Sequence, residues 1–176
     1  MQFDSYRPGP PLAEFVDSMW QMTNQGLRPS RHRICPTGSS ALVIHLADSH
    51  LSFFDRGRRH SVRIPLLAGP YSRSFLIDPS ELTAVIGVRF RPGAGRIFFP
   101  VPAHELHNLH VPLDELFPGE GARLLDRLLF AGTSERRFGI LERYLAGKLA
   151  DATFPDAAVQ HAVVAFLRRA GVCAIG

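Results

Sequence analysis

Lysine is nearly missing from this chain of 176 residues: Lys148 is the only one among 20 basic side chains, and arginine supplies the rest. Cysteine is almost as scarce. Cys35 and Cys173 lie far apart, with no metal-type partner spacing around either, so two free and largely buried thiols are expected rather than a disulfide or a metal knuckle. Long apolar runs are lacking too. Stretches such as Ala41 to Leu46 are far too short to cross a bilayer. The N-terminus has no basic-then-apolar signal pattern, because Asp4, Pro8, Pro10 and Pro11 interrupt it. A cytoplasmic protein with no membrane partner is the expectation. No internal repeat or low-complexity tract occurs, and with 45% hydrophobic and 20% charged residues the chain is apolar enough to fold rather than stay disordered.

The net charge of +4 is unevenly spread. Residues 28–96 hold eleven arginines against four acids, whereas the segments on either side are slightly acidic. A basic middle attracts nucleic acid or an anionic ligand. A solvated hairpin surface explains the same residues, and it is the reading carried forward.

Hydrophobic spacing changes along the chain. Leu12, Phe15, Val16, Met19 and Trp20 recur at i, i+3, i+4, i+7 and i+8 after Pro10 and Pro11, which predicts an N-terminal docking helix. Short β-like runs follow at Arg31–Cys35, Ala41–Ala47, Leu51–Phe54, His60–Ile64, Ser74–Ile77 and Thr83–Arg91. Their separators, such as Pro36-Thr37-Gly38, Asp48-Ser49-His50, Asp55-Arg56-Gly57 and Asp78-Pro79, carry good turn chemistry. Successive strands with no helix between them predict an antiparallel curved sheet or small cupin-like barrel. Helical spacing returns at Arg96–Phe99, Pro102–Leu109, Gly121–Phe130 and Ser134–Leu149. A last helix is capped by Asp156, carries Val159, Val163, Phe166 and Leu167, ends on Arg168 and Arg169, and stops at Gly171. The expected fold class is α+β. Residues 1–100 form a β-rich sensor-like domain with its docking helix, and residues 101–176 a helical subdomain.

Tyr6, Pro8, Leu12, Phe15, Val16 and Trp20 form a spaced opening. Pro36-Thr37-Gly38 then precedes Leu42-Val43-Ile44, the Gly69-Pro70 turn follows, and Gly87-Val88-Arg89-Phe90 runs into Arg91-Pro92-Gly93-Ala94. Leu106, Val111-Pro112-Leu113, Leu125 and Arg137 to Leu145 complete the layout. In order and spacing this resembles the N-terminal regulatory domain of bacterial AraC/XylS-type transcription regulators, over nearly the whole chain. The chain departs from that pattern at Thr37, where an acidic residue is usual. The resemblance implies two helix-turn-helix units after a helix like 156–170, and Val172 to Gly176 is too short to make a DNA-reading helix. It therefore implies an effector-sensing or dimerisation module, without enzyme activity or cofactor, that meets DNA only through an attached domain.

Candidate site residues follow from strand alternation. His45 and Arg89 each sit mid-strand opposite a bulky apolar face, so they are expected, with Tyr71 and Phe75, to contact a small-molecule effector, Arg89 by a bidentate grip on a carboxylate or phosphate. Meeting solvent or the C-terminal helices is the plainer reading of those faces. Leu124, Leu128, Leu141 and Leu145 are candidates for helical packing in a homodimer, or simply for the core. His104, His107 and His110 fall within one helical arc, and two of them, His104 and His107, could share a metal. The sequence is not His-Glu-x-x-His, however, and Val111-Pro112 would end the helix, so no metal is expected. The glycines of Arg91 to Arg96 lack a Walker lysine and a third fingerprint glycine, and read as a strand-to-helix turn. Arg56, Arg58, Arg59 and Arg63 read as hairpin decoration, with no interleaved exposed aromatic platform. No nucleophile-elbow pattern surrounds Ser39 or Ser40. The alternatives are a small-molecule-binding enzyme on a cupin-like barrel, which needs a cluster of inward histidines and acids, and a free-standing partner that pairs with full-length regulators.

Overall fold

The structure is a computed structural model and describes residues 2–24, 28–47, 50–99, 101–152 and 157–168, the last without the side chains of 157–160, 166 and 167. Its strands are β1 (Gln2–Tyr6), β2 (Val16–Thr23), β3 (His32–Ile34), β4 (Ala41–His45), β5 (His50–Asp55), β6 (Arg58–Arg63), β7 (Leu66–Ala68), β8 (Phe75–Ile77), β9 (Ala84–Phe90) and β10 (His110–Pro112). They form a six-stranded sheet in the order β1-β2-β9-β4-β7-β10 and a four-stranded sheet in the order β3-β8-β5-β6. Every pairing is antiparallel. The helices are α1 (Gly95–Phe98), α2 (Leu113–Leu116), α3 (Glu120–Phe130), α4 (Ser134–Ala150) and α5 (Ala157–Arg168). The α+β class and the antiparallel sheet are as expected, and the two sheets do not close into a barrel among the described residues.

The central strands of the larger sheet, β2, β9 and β4, are covered on both faces over most of their length, whereas the edge strand β1 is exposed. On one face, Met19, Leu42, Ile44, Ile86, Val88 and Phe90 join Leu124, Leu128, Leu141 and Leu145 of α3 and α4 in a single apolar cluster. On the other, Trp20, Met22, Val43 and Val85 meet Leu51, Val62 and Ile77 of the smaller sheet. Helices, large sheet and small sheet are thus three layers, as in α+β folds with helices gathered on one face.

This burial corrects the N-terminal docking helix. Leu12–Glu14 is one turn of 3-10 helix and Val16–Thr23 is a strand. A strand covered on both sides needs apolar residues at odd and even positions alike. The register also slips between Val16 and Ser18, so Val16 and Met19 face the same helices although they are three apart. That slip imitates a helical stripe. Pro102–Leu109 is likewise a chain of turns rather than a helix. It hugs Gly69 so closely that a Cβ there would stand 1.8 Å from the Leu106 carbonyl oxygen, and Asn108 adopts φ 59° to turn the chain into β10. Cys35, expected to be buried, is exposed. Cys173, Asp156 and residues 169–176, with the side chains of Val159, Phe166 and Leu167, lie outside the described residues, as do Asp48 and Ser49.

Polar ties fasten the helices to the sheet. Tyr6 donates to Glu142 at 2.8 Å, Ser134 donates to Asp4 at 2.8 Å, and Arg137 bridges Gln21 of β2 at 3.2 Å and the Leu128 carbonyl at 3.1 Å. The lone lysine works inside this layer. Lys148 pairs with Glu120 at 2.9 Å and lies 3.8 Å from the Phe117 ring centroid, a cation over an aromatic face. Thr133 caps α4 by accepting from the Arg136 amide.

Leu128 is fully buried between α3 and the sheet, so Leu128→Ala is expected to cost about 2–5 kcal/mol, transfer and cavity terms together. Urea unfolding checks this, with a much lower midpoint expected for Leu128→Ala and little change for Phe130→Ala, whose side chain is 92% exposed.

Candidate functional site

The expected effector residues occupy three separate places. Tyr71 and Phe75 come together, with ring centroids 4.7 Å apart, where the edges of the two sheets meet. The Phe53 and His110 rings complete this group: His110 lies 4.3 Å from Phe53, 5.0 Å from Tyr71 and 5.1 Å from Phe75. The Tyr71 hydroxyl and His110 Nδ1 share a hydrogen bond of 2.7 Å. Burial pushes the His110 imidazole down to about 4, and burial, with Asp55 nearby, pushes the Tyr71 hydroxyl up to about 12. Both groups are therefore neutral near pH 7, with the hydroxyl donating to the imidazole. Beside them Arg73 grips Asp55 through Nε at 3.1 Å and Nη2 at 2.6 Å, holding that carboxyl below its ordinary range. The group is tightly packed and its two polar tips satisfy one another.

His45 lies elsewhere, at the end of β4. Its Nδ1 accepts from the Ala47 amide at 3.2 Å, which leaves the proton on Nε2 to donate to the Glu81 carbonyl at 3.2 Å. The ring is a buried strut that joins β4 to the 3-10 turn Pro79–Glu81. It also forms the floor of a cleft of about 360 Å³ lined by His45, Ala47, His50, Ser52, Arg59, Ser80, Glu81, Leu82 and Thr83. Arg59 reaches Glu81 at 2.9 Å and Ser52 at 3.2 Å across its mouth. Asp78 sets the 3-10 turn by accepting from the Ser80 amide at 2.9 Å and its hydroxyl at 2.7 Å, contacts that lower its carboxyl's pKa. The lining offers a guanidinium, hydroxyls and a carboxylate around one polar space, which suits an anionic or zwitterionic small molecule.

Arg89 joins neither place. It faces the same side of the large sheet as His45, but the register pairs Ala41 with Arg89 and His45 with Val85, about 13 Å apart along the ladder. Its guanidinium binds Asp17, at 2.6 Å and 2.8 Å, and so lowers that carboxyl's pKa. The four helix leucines, at 2% exposure or less, belong to the core. His104 and His107 are exposed in turns, and among the described residues no group of three His, Cys, Asp or Glu side chains is placed to hold a metal. No described helix is long and apolar enough to cross a membrane.

Sequence reasoning found one residue of the cleft and missed the rest. His50, Ser52, Arg59, Ser80 and Glu81 come from a strand start, a hairpin and a turn, and the pairing of β5 with β6 and β8 brings them together. His110 was legible only as a helix-end residue. The available signal was its place before Val111-Pro112, a β-branched residue followed by a residue that favours extended neighbours.

The family described as Domain of unknown function (DUF6597) matches residues 4–112, and the chain belongs to that family. The match begins within β1 and ends with β10, so it takes in both sheets and stops before α2. No curated protein matches the chain.

A pH dependence follows from His110. The unfolded chain takes up its proton near 6.5 while the folded protein resists until about 4, so stability is full above pH 6.5 and falls by about 3 kcal/mol on the way down to pH 4. Urea midpoints at pH 7.5 and 5.0 check this: wild type should lose stability across the interval, and His110→Phe should lose markedly less.

Proposed function

We propose that this DUF6597 chain is the effector-sensing and dimerisation part of an AraC-type bacterial transcription regulator, a cytoplasmic, cupin-like receiver that passes on the occupancy of its cleft without transforming the ligand. One observation carries the reading. Strand β4 reaches the cleft through His45 and the helical layer through its other face, and Leu82 and Thr83, which lead into β9, line the same cleft. His45 and Val43 point toward the cleft and small sheet, while Leu42 and Ile44 of the same strand pack on the helices. A ligand that shifts His45 or Glu81 therefore moves a strand to which α3 and α4 are fastened. Packed layers transmit such shifts because interiors are close-packed and cannot absorb them.

The helical layer also offers a surface for a second copy. Phe130 at the end of α3 is 92% exposed and Leu129 47%, and Phe130 forms one wall of a notch of about 440 Å³ lined also by Ala131, Glu135, Arg136, Gly139, Ile140 and Arg143. A two-fold pairing places one Phe130 in the partner's notch and Glu135 near the partner's arginines, the self-complementary contact that a symmetric dimer requires. Leu124, Leu128, Leu141 and Leu145 support this face from beneath. Operator sequence is read through an attached helix-turn-helix domain.

Two measurements test the reading. Fused to a heterologous helix-turn-helix domain that represses only as a dimer, the chain should repress a reporter and Phe130→Asp should abolish repression; equal repression by both would remove the dimer. In a thermal-shift screen of small carboxylates and amino acids, at least one should raise the melting temperature, and Arg59→Gln should cut its affinity about tenfold or more, as loss of a charge-assisted contact does. Conversion of any of these compounds by the purified chain would refute a purely receiving role.

A further inference from the structure

We infer that the outer face of the small sheet is a binding surface for single-stranded nucleic acid. The register across its four strands aligns Arg33 of β3 with Leu76 of β8, Leu76 with Phe54 of β5, and Phe54 with Arg59 of β6. Facing residues share one side of a sheet, so a single row reads Arg33, Leu76, Phe54, Arg59 from edge to edge. The opposite side carries Phe53 and Ile77 and is turned to the large sheet. Arg63 lies two pairs along the same face, opposite His50, with Ser52 and Ser61 between. Arg31 places its guanidinium 4.7 Å from the Phe54 ring centroid.

Two of the hairpin arginines, Arg59 and Arg63, thus share a face with Phe54. Arg59 on one side and Arg31 and Arg33 on the other surround that aromatic ring at mid-sheet, the combination that holds single strands: cations for the phosphates, and a flat π-surface on which a base stacks regardless of its identity. The carboxylates nearby offset only part of this charge, Glu81 by pairing with Arg59. Asp55 points inward to Arg73, and Glu81 and Asp78 sit at one end of the face, bonded to Arg59 and to Ser80. Every cation in the row is arginine, whose planar fork grips phosphate in two places and stacks on bases. A base arriving on Phe54 takes the place of the Arg31 guanidinium, which is then available to the adjoining phosphate. An anionic membrane fits less well, because Phe54 and Leu76 are half-buried under the arginines and offer no apolar wedge to a bilayer.

The inference goes beyond the sensing role, and its test uses Arg33, Phe54 and Arg63, which do not line the cleft. Fluorescence anisotropy with the full chain compares a labelled 15-nucleotide single strand, the matching duplex, and vesicles containing phosphatidylserine. The single strand should bind best, with log K falling against log salt at a slope of about −2 for three phosphate contacts. Arg33→Gln or Arg63→Gln should each flatten that slope by about 0.7, and Phe54→Leu should weaken binding about five- to a hundredfold, with melting curves confirming that each variant folds. Should Phe54→Leu not fold, the two arginine variants decide the matter by the slope. Duplex binding as tight as single-strand binding, vesicle binding without oligonucleotide binding, slopes unmoved by both arginine variants, or no binding at 50 mM salt would each overturn the inference.

Discussion

The burial of β2, β9 and β4 on both faces is the constraint on which the rest of the structure depends. Apart from the end where Arg89 and Asp17 reach solvent, these strands are covered on both sides, so the sheet survives only if helices cover one face and a second sheet the other. Gly87 shows how close the fit is: a Cβ there would stand 2.6 Å from the Trp20 ring, which lies across β9 where no side chain intervenes. The apolar cluster on the helical side draws on residues from Leu12 to Leu145 without a break at residue 100. Sheet and helices therefore share one core, and the chemistry of the molecule is displaced to the ends of the sandwich and to its outer face.

The two ends differ because of what closes them. Where β10 meets the small sheet, Phe53, Tyr71, Phe75 and His110 fill the gap with rings, and burial keeps the imidazole neutral. At the His45 end the chain turns through Asp78 and the 3-10 segment, which bring Ser80 and Glu81 rather than aromatic rings to the gap, and a cleft remains. The difference is one of side-chain volume and polarity, and it leaves the space where charged and hydroxyl groups converge.

Much of this was legible in the sequence, and the failures share a cause. Turn chemistry marked the strand breaks well: Arg56 and Gly57, both at positive φ, make the tight hairpin between β5 and β6 that their spacing suggested. The amphipathic helices α3 and α4 begin within a residue of their expected starts, because each has only one face to bury. β2 was misread because burial on two sides, with a register slip, erases the alternation that identifies a strand. β1, β7 and β10 were missed for want of length or contrast. His45 stood out in the sequence as a polar residue on an apolar strand, and its hydrogen bonds make it a strut at the floor of a cleft whose other residues lie in separate elements. No periodicity reveals a site assembled by strand pairing. The sequence likewise gave no sign that Phe54 would face outward among the arginines, since that depends on which side of β5 the large sheet covers.

The coupling of sheet to helices can be measured directly by native-state hydrogen exchange in low denaturant, residue by residue. A shared core predicts that the amides of β2, β4 and β9 and those of α3 and α4 exchange through one opening, with the same free energy and the same denaturant slope. If instead residues 120–150 open in a separate, cheaper step while the sheet stays protected, the helices do not feel the strands beneath them, and a cleft floored by His45 of β4 has no means of reporting its occupancy to the rest of the molecule.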